Sequence, residues 1–402
     1  MRRILIRRLM KTPLEEQELE IVERKGLGHP DYICDAIMDS VSIELNKEYE
    51  RRFGGILHYN ADKSLLVAGE TEVRFGGGFV KKPMLFVFGD RATTEFQGVE
   101  IPVGEIAIRA AKKWIKENLR FVDPEEHVRY QVELKPGSAE LTDIFRRGER
   151  VLGANDTSAA VGYAPLSRTE KAVLEIERFL NSKEFKRSYP ETGEDVKVMG
   201  LRVKDELDVT IAMAFVDRYI DSEGEYFKRK AEVKEEVCQF LRSNFDFKNV
   251  RIEFNTLDVE GRGVSGLYLT VLGTSAESGD SGQVGRGNRV NGIIPLNRPV
   301  SSEAAAGKNP VSHVGKIYNI LTHKMAERIY REVPGLDEVY VWLLSKIGQR
   351  IDEPAMTAVE LVMKDDQKLE DIKGQVEEII NSELDRILEF CDELAEGKIS
   401  LY

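Results

Sequence analysis

Five glycines fall within the fifteen residues GTSAESGDSGQVGRG, 273–287, leaving bare backbone N–H groups that can close on phosphate oxygens as an anion-binding nest. Arg286 and Arg289 add forked donors that match phosphate geometry, and Asp280 places a carboxylate inside the same run. Further on, SSEAAAGKNPVSHVGK supplies Lys308 and Lys316 around an Asn-Pro turn. Between Gly285 and Lys316 there are five basic residues and one acid, in a chain whose formal net charge is -12. That local reversal suggests a bound polyphosphate. The run is neither G-x-x-x-x-G-K-[ST] nor G-x-G-x-x-G after a strand, so no standard nucleotide fingerprint applies. The structural alternative is a glycine-rich surface hairpin.

A second set of reactive residues sits near the start. GLGHPDYICD puts His29 and Asp31 on either side of Pro30, at a stiff helix start. His29 could donate to a reacting oxygen, and Asp31 could hold Mg2+, which prefers carboxylates and phosphate oxygens; an Asp cap beside a packed His is the plainer reading. Asp62, Lys63, Glu70 and Glu72 among short strands, and Asp156 in GANDTS, each read singly as turn residues. Five histidines show no zinc spacing and no nucleophile elbow is present. Three widely spaced cysteines suggest neither a disulfide framework nor a metal site. These residues alone leave open an ATP-dependent transferase such as a kinase, or a non-catalytic nucleotide-binding protein.

The elements that must position these groups follow from periodicity. Ile33, Ile37, Val41 and Leu45 share a helical face behind the His29 loop. Residues 56–88 read as short antiparallel strands broken by turns, followed by a helix over about 103–118. Ser167 with Glu170 fits a capping box. Strand-like VTIAMAFVDRYI, a helix-like run from Glu225, and strand-like RIEFNTLD and LYLTVLG come next, and residues 366–396 place apolar residues on one helical stripe. Mixed α/β (α+β) architecture is expected. With 402 residues, 42% apolar and 32% charged, the chain belongs to the globular class. Its acidity argues against nucleic acid, and no apolar run approaches the roughly 18 residues of a membrane span, so a cytoplasmic location is expected.

Taken together, GHPDYICD, HYNADKSLLVAGETEVRFGGG, GANDTSAAVGYAPLS, GTSAESGDSGQVGRGNRVNG and SSEAAAGKNPVSHVGKIYN closely resemble the archaeal branch of the S-adenosylmethionine synthetase (methionine adenosyltransferase) family. The resemblance implies one unit over 1–402, built of three similar α/β subdomains about a pseudo-threefold axis. It implies a homodimer or dimer of dimers with shared active sites, in which the glycine-rich stretch meets His29 and Asp31 across a subunit boundary. The implied substrates are ATP and L-methionine, with two Mg2+ ions per site and K+. His29, Arg286 and Lys308 are the implied catalytic groups. Polyphosphate would meet Asp280, Arg286, Arg289, Lys308 and Lys316, and the loop Gly137, Ser138, Ala139, Glu140, Leu141 and Thr142 would contact ATP. Asp31 and Asp280 would be metal ligands; Asp156 and Glu70 would sit at methionine, Glu70 also as a K+ carboxylate. The chain departs from the bacterial and eukaryotic pattern at Tyr32, at Arg286-Gly287-Asn288 and over Val311–Val314, where lysines and a metal-binding aspartate are missing.

Overall fold

The computed structural model describes residues 2–145 and 151–402, without the side chains of Glu140, Leu141 and Ile144. Three sheets, each backed by helices, organise three hydrophobic cores. The first sheet runs in the order Ile4–Arg8, Met356–Met363, Leu336–Leu344, Ala159–Ala164 and packs on the helix Val314–Glu332. The second runs Val128–Lys135, Met84–Ala92, Leu65–Val67, Gly282–Gln283, with helices Pro30–Phe53 and Val103–Asn118 on it. The third runs Asn249–Phe254, Glu206–Val216, Thr192–Val203, Leu19–Lys25, Ile294–Pro295, with helices Arg168–Leu180 and Glu223–Asn244. Each unit draws strands from distant parts of the chain, so the three interleave.

The helix Pro30–Phe53 does most of the positioning. It begins with Pro at its first position and ends on Gly54 at φ 69°, the usual start and stop chemistry. Ile33, Ile37, Val41 and Leu45 are 2% exposed or less and fill the second core. Asp31, Asp35, Asp39, Ser42 and Asn46 fall at steps of three and four and so line a polar stripe beside that apolar one. The expected helix at 103–118 and the Ser167–Glu170 capping box are both present. The C-terminal stripe forms two helices, Leu369–Asp385 and Ile387–Ala395, that meet at Arg386; its apolar residues all enter the first core because both pieces lie on it. The strand expected over LYLTVLG reduces to Leu269–Thr270, and the chain beyond turns into the glycine-rich loop.

Candidate active site

The glycine-rich stretch separates into two parts with different neighbours. Residues 282–289 sit on the start of the helix Pro30–Phe53 in the same chain: the N–H of Gln283 donates to Asp31 Oδ1 at 2.9 Å and that of Gly285 to Asp35 Oδ1 at 2.8 Å. Gly282 lies so close that a Cβ would stand 2.1 Å from the carbonyl oxygen of Pro30. Lys25 completes the junction, its Nζ 2.9 Å from Asp31 Oδ2 and 2.5 Å from the Arg286 carbonyl oxygen. Lys25 and Asn288 also exchange main-chain to side-chain hydrogen bonds of 2.9 and 2.7 Å. The meeting of this loop with His29 and Asp31, expected across a subunit boundary, is therefore made within one chain, by backbone amides of the loop facing the carboxylates of the helix.

His29 caps the helix. Its Nδ1 accepts from the Asp31 N–H at 3.2 Å, which leaves the ring proton on Nε2. Burial lowers its pKa, opposed by the carboxylates of Asp195 and Asp31, so the ring is a neutral donor. Asp195, buried on the opposing strand, accepts from the Ser275 N–H and Oγ at 2.8 and 2.6 Å, and burial raises its pKa. Asp35 is pushed up to about 7 by burial, against the Gly285 N–H and Arg289. Arg289 turns inward, its Nη2 3.0 Å from the carbonyl oxygens of Gly285 and Gly287; it braces the loop from within. Arg286 is exposed, with no side-chain partner among the described residues. Asp280 is exposed nearby and accepts from the Ser281 N–H at 2.9 Å.

Residues 303–316 pack elsewhere. The Ala61 N–H donates to the Gly307 carbonyl at 2.9 Å and Asn309 Nδ2 to that of Leu57 at 3.0 Å, which brings buried Lys308 to the carboxylate of Asp62 and within 3.2 Å of Glu303. Burial alone would raise the Asp62 pKa; the Lys308 ammonium outweighs it and holds the carboxyl below its usual range. Asp90 beside it is pushed up to about 6, by burial and then by Asp62. Lys316 lies in the first turn of the helix Val314–Glu332, 2.9 Å from Asp39 and 3.2 Å from Ser42 Oγ. The loop of Asp156 joins this group through Asn155, whose N–H donates to the Ser312 carbonyl at 3.1 Å; Asp156 itself is exposed. The Gly137 loop joins it through His58, whose Nδ1 would be 2.4 Å from a Cβ at Gly137. Thr142 Oγ1 donates to the Ser138 carbonyl at 2.8 Å, Ala139 starts the short helix there, and the side chains of Glu140 and Leu141 lie outside the described residues.

These placements revise the meaning of the basic excess. Lys308, Lys316 and Arg298 are each paired with acids from other segments, Arg298 with Glu170 and Glu338 at 3.1 and 3.2 Å. Of the five cations between Gly285 and Lys316, only Arg286 is both exposed and unpaired among the described residues. Glu70 stands on an exposed hairpin with Lys82 at 3.2 Å. Sequence reasoning passed over Lys25, Asp35 and Asp195 and read Asp62 as a turn residue. The i, i+4 spacing of Asp31, Asp35 and Asp39 on one helix was the signal that could have found the acidic partners.

The chain has counterparts along its whole length. The model of the S-adenosylmethionine synthetase (AdoMet synthetase) family matches residues 2–398, and the chain belongs to that family. It is 48% identical over 406 residues to the S-adenosylmethionine synthase of Aeropyrum pernix, covering all of both chains. It is 46% identical over 403 residues to that of Pyrococcus furiosus, again covering all of both. A solved S-adenosylmethionine synthetase from Campylobacter jejuni, described as unusual, shares the fold at a TM-score of 0.62 over 95% of each chain with 16% identity. Among the described residues no helix is long and apolar enough to cross a membrane.

Proposed function

We propose that the chain is a methionine adenosyltransferase in which the thioether sulfur of L-methionine attacks C5' of ATP. The S–C5' bond forms as C5'–O breaks, and the electron pair leaves on tripolyphosphate, which water then cleaves to diphosphate and phosphate. A thioether carries no proton to remove, so the first step needs no general base. The task left to the chain is to orient the nucleophile and stabilise the leaving charge, where loss of one preorganised donor typically costs ~10²- to 10³-fold. The seating of the glycine-rich loop on the helix start of His29 and Asp31, in a chain of this family, carries the reading.

In this reading neutral His29 offers its Nε2 proton to an oxygen of the ribose or the leaving polyphosphate and Arg286 meets phosphate oxygens, while Lys308, buried against Asp62 and Glu303, acts on the polyphosphate through the ionic framework it holds in place. Asp156 receives the methionine ammonium, and the loop from Gly137 to Thr142 lies along ATP. Asp31, whose Oδ2 pairs with Lys25, and exposed Asp280 would be the carboxylates toward Mg2+, which is ordinarily held by one or two carboxylates plus substrate phosphates and water. When bound it neutralises charge on the polyphosphate. K+ is the second expected cation, toward which Glu70 offers a single carboxylate. Asp31 and Asp39, which anchor the two groups, are eight residues apart, about 12 Å along the helix. The reading is completed by a homodimer or dimer of dimers in which the His29 group of one copy faces the Lys308 group of its partner, acting in the cytoplasm.

Incubation with ATP, L-methionine and Mg2+ should yield a sulfonium product by mass spectrometry, together with diphosphate and phosphate. Release of ADP in its place would mark a kinase and overturn the reading.

A further inference from the structure

A groove of about 680 Å³ opens behind the His29 group, between the helix Val103–Asn118, the loop Leu119–His127 and Arg218. Arg109, Lys113 and Lys116 face it from one side of the helix. All three are exposed; Arg109 and Lys113 have no partner among the described residues, and Lys116 has only the charge of Asp123 nearby. The two acids on the groove are already engaged: Asp123 Oδ1 accepts from the N–H groups of Glu125 and Glu126 at 2.7 and 3.2 Å, and Glu125 pairs with Lys112 at 2.6 Å. Like charges stacked at helical spacing repel by a few tenths of a kcal/mol per pair, and an acidic protein that concentrates them at a concavity has an electrostatic complement to an anion there.

We propose that this groove is a second binding site, for linear inorganic polyphosphate. Arg109 to Lys116 spans two helical turns, roughly 10 Å, which suits several linked phosphoryl groups better than one phosphate. The aromatic ring on the groove, Phe121, is already covered by the guanidinium groups of Arg120 and Arg218, whose carbons lie 4.7 and 5.1 Å from its centroid. A nucleobase would have to compete with those guanidinium groups for the ring, which favours a bare polyphosphate over a nucleotide. The same residues touch the back of the candidate active site. Arg120 binds the carboxylate of Glu194 and the Thr192 carbonyl; Glu194 directly precedes Asp195, which faces His29. Phe121 Cδ2 would be 3.4 Å from a Cβ at Gly273, where the glycine-rich stretch begins. An anion drawing on Arg120 or Arg218 therefore acts on the strand that supports Asp195.

Calorimetric titration of the full chain with inorganic tripolyphosphate, at low salt and without Mg2+, tests the site. The triple variant Arg109→Gln, Lys113→Gln, Lys116→Gln should keep its melting temperature, because the three side chains are exposed and make no hydrogen bond among the described residues. It should lose one tripolyphosphate site or bind there at least tenfold more weakly. If the active site takes no tripolyphosphate, the wild type binds one and the variant none, so failure of the proposed activity is distinguishable from failure of the groove. The same number of sites with affinities within twofold overturns the proposal, as does equal competition at the groove by orthophosphate or by a non-hydrolysable ATP analogue.

Discussion

At Pro30 and again at Val314 a helix starts behind a histidine whose Nδ1 accepts from the N–H two residues on, at 3.2 Å in both cases. The two rings are neutral for the same first reason, burial, yet their surroundings have opposite sign. At His29 the carboxylates of Asp195 and Asp31 act more strongly than Lys25 and Lys197; at His313 Lys308, Lys63 and Lys316 stand against Asp62 alone, and its pKa falls to about 3. The carboxylates near His29 are held by backbone amides of a glycine-rich loop, and Lys25 closes the junction with 14% of its side chain exposed. Of the lysines near His313, Lys308 and Lys316 are sealed in, 2% exposed, against Asp62, Glu303 and Asp39, while Lys63 reaches Asp62 from the surface. One local device thus serves a half-open site in one place and a buried ionic framework in the other.

The largest effect that separates the two should come from their lysines. Lys308→Met leaves buried Asp62 with only the exposed Lys63 as a cation, and loss of the buried partner of such a pair costs up to about 3–5 kcal/mol. Lys25→Met leaves Asp31 with the Gln283 N–H, so it should cost under about 2 kcal/mol. Denaturant midpoints of the two variants measure the difference; equal shifts would break the distinction between framework and site.

Asparagine at each histidine sharpens the comparison next. Asn is a good helix cap, where replacement by Ala would cost about 1 kcal/mol, so both His29→Asn and His313→Asn should stay folded. Turnover should fall at least ~100-fold for His29→Asn, the low end of what a positioned proton donor contributes, and by less than about threefold for His313→Asn, where the ring serves as a cap. Steady-state kinetics with ATP and methionine decide it, and similar losses at both positions would show that the rings play the same part.

Much of this arrangement was legible in the sequence, and the failures have physical causes. Pro30 and the Ile33–Leu45 face announce the first helix because caps and periodicity act within a few residues. The capping box at Ser167 and the helix at 103–118 are local in the same way. The strand Thr192–Val203 was missed because its inward positions include Arg202, buried through its ion pair with Glu20 and its bonds to the carbonyls of Leu14 and Gln17, all far away in sequence. The same long-range pairing explains the basic excess between Gly285 and Lys316: charge can be counted along the chain, but Asp62, Asp39 and Glu170 come from other segments and neutralise it. His29, Asp31 and Arg286 could be picked out because composition and loop chemistry coincide there. Lys25 and Asp195 could not, since each acquires its partner only when strands close on the loop.

The smallest effect is in pH dependence, and its sign follows from the surroundings. A histidine lowered from 6.5 to about 3 binds fewer protons folded than unfolded between those values, so its contribution rises with pH there and is lost as pH falls, by at most about 1.4 kcal/mol per pH unit. Asp35, raised from 3.8 to about 7, and Asp90, raised to about 6, act oppositely: the folded state holds their protons longer, and stability declines as pH rises through that window. His313→Asn removes the first contribution and leaves the second, so stability between pH 6 and 4 should fall less steeply than in the parent chain. His29→Asn should flatten the same limb less, because Asp195 and Asp31 offset the lysine charges at that ring. Melting temperatures of both variants and the parent across pH 4 to 7 test the order; a steeper acid limb in His313→Asn would mean that its ring is protonated in the folded chain, and the lysines around it would then be held by another arrangement of charge.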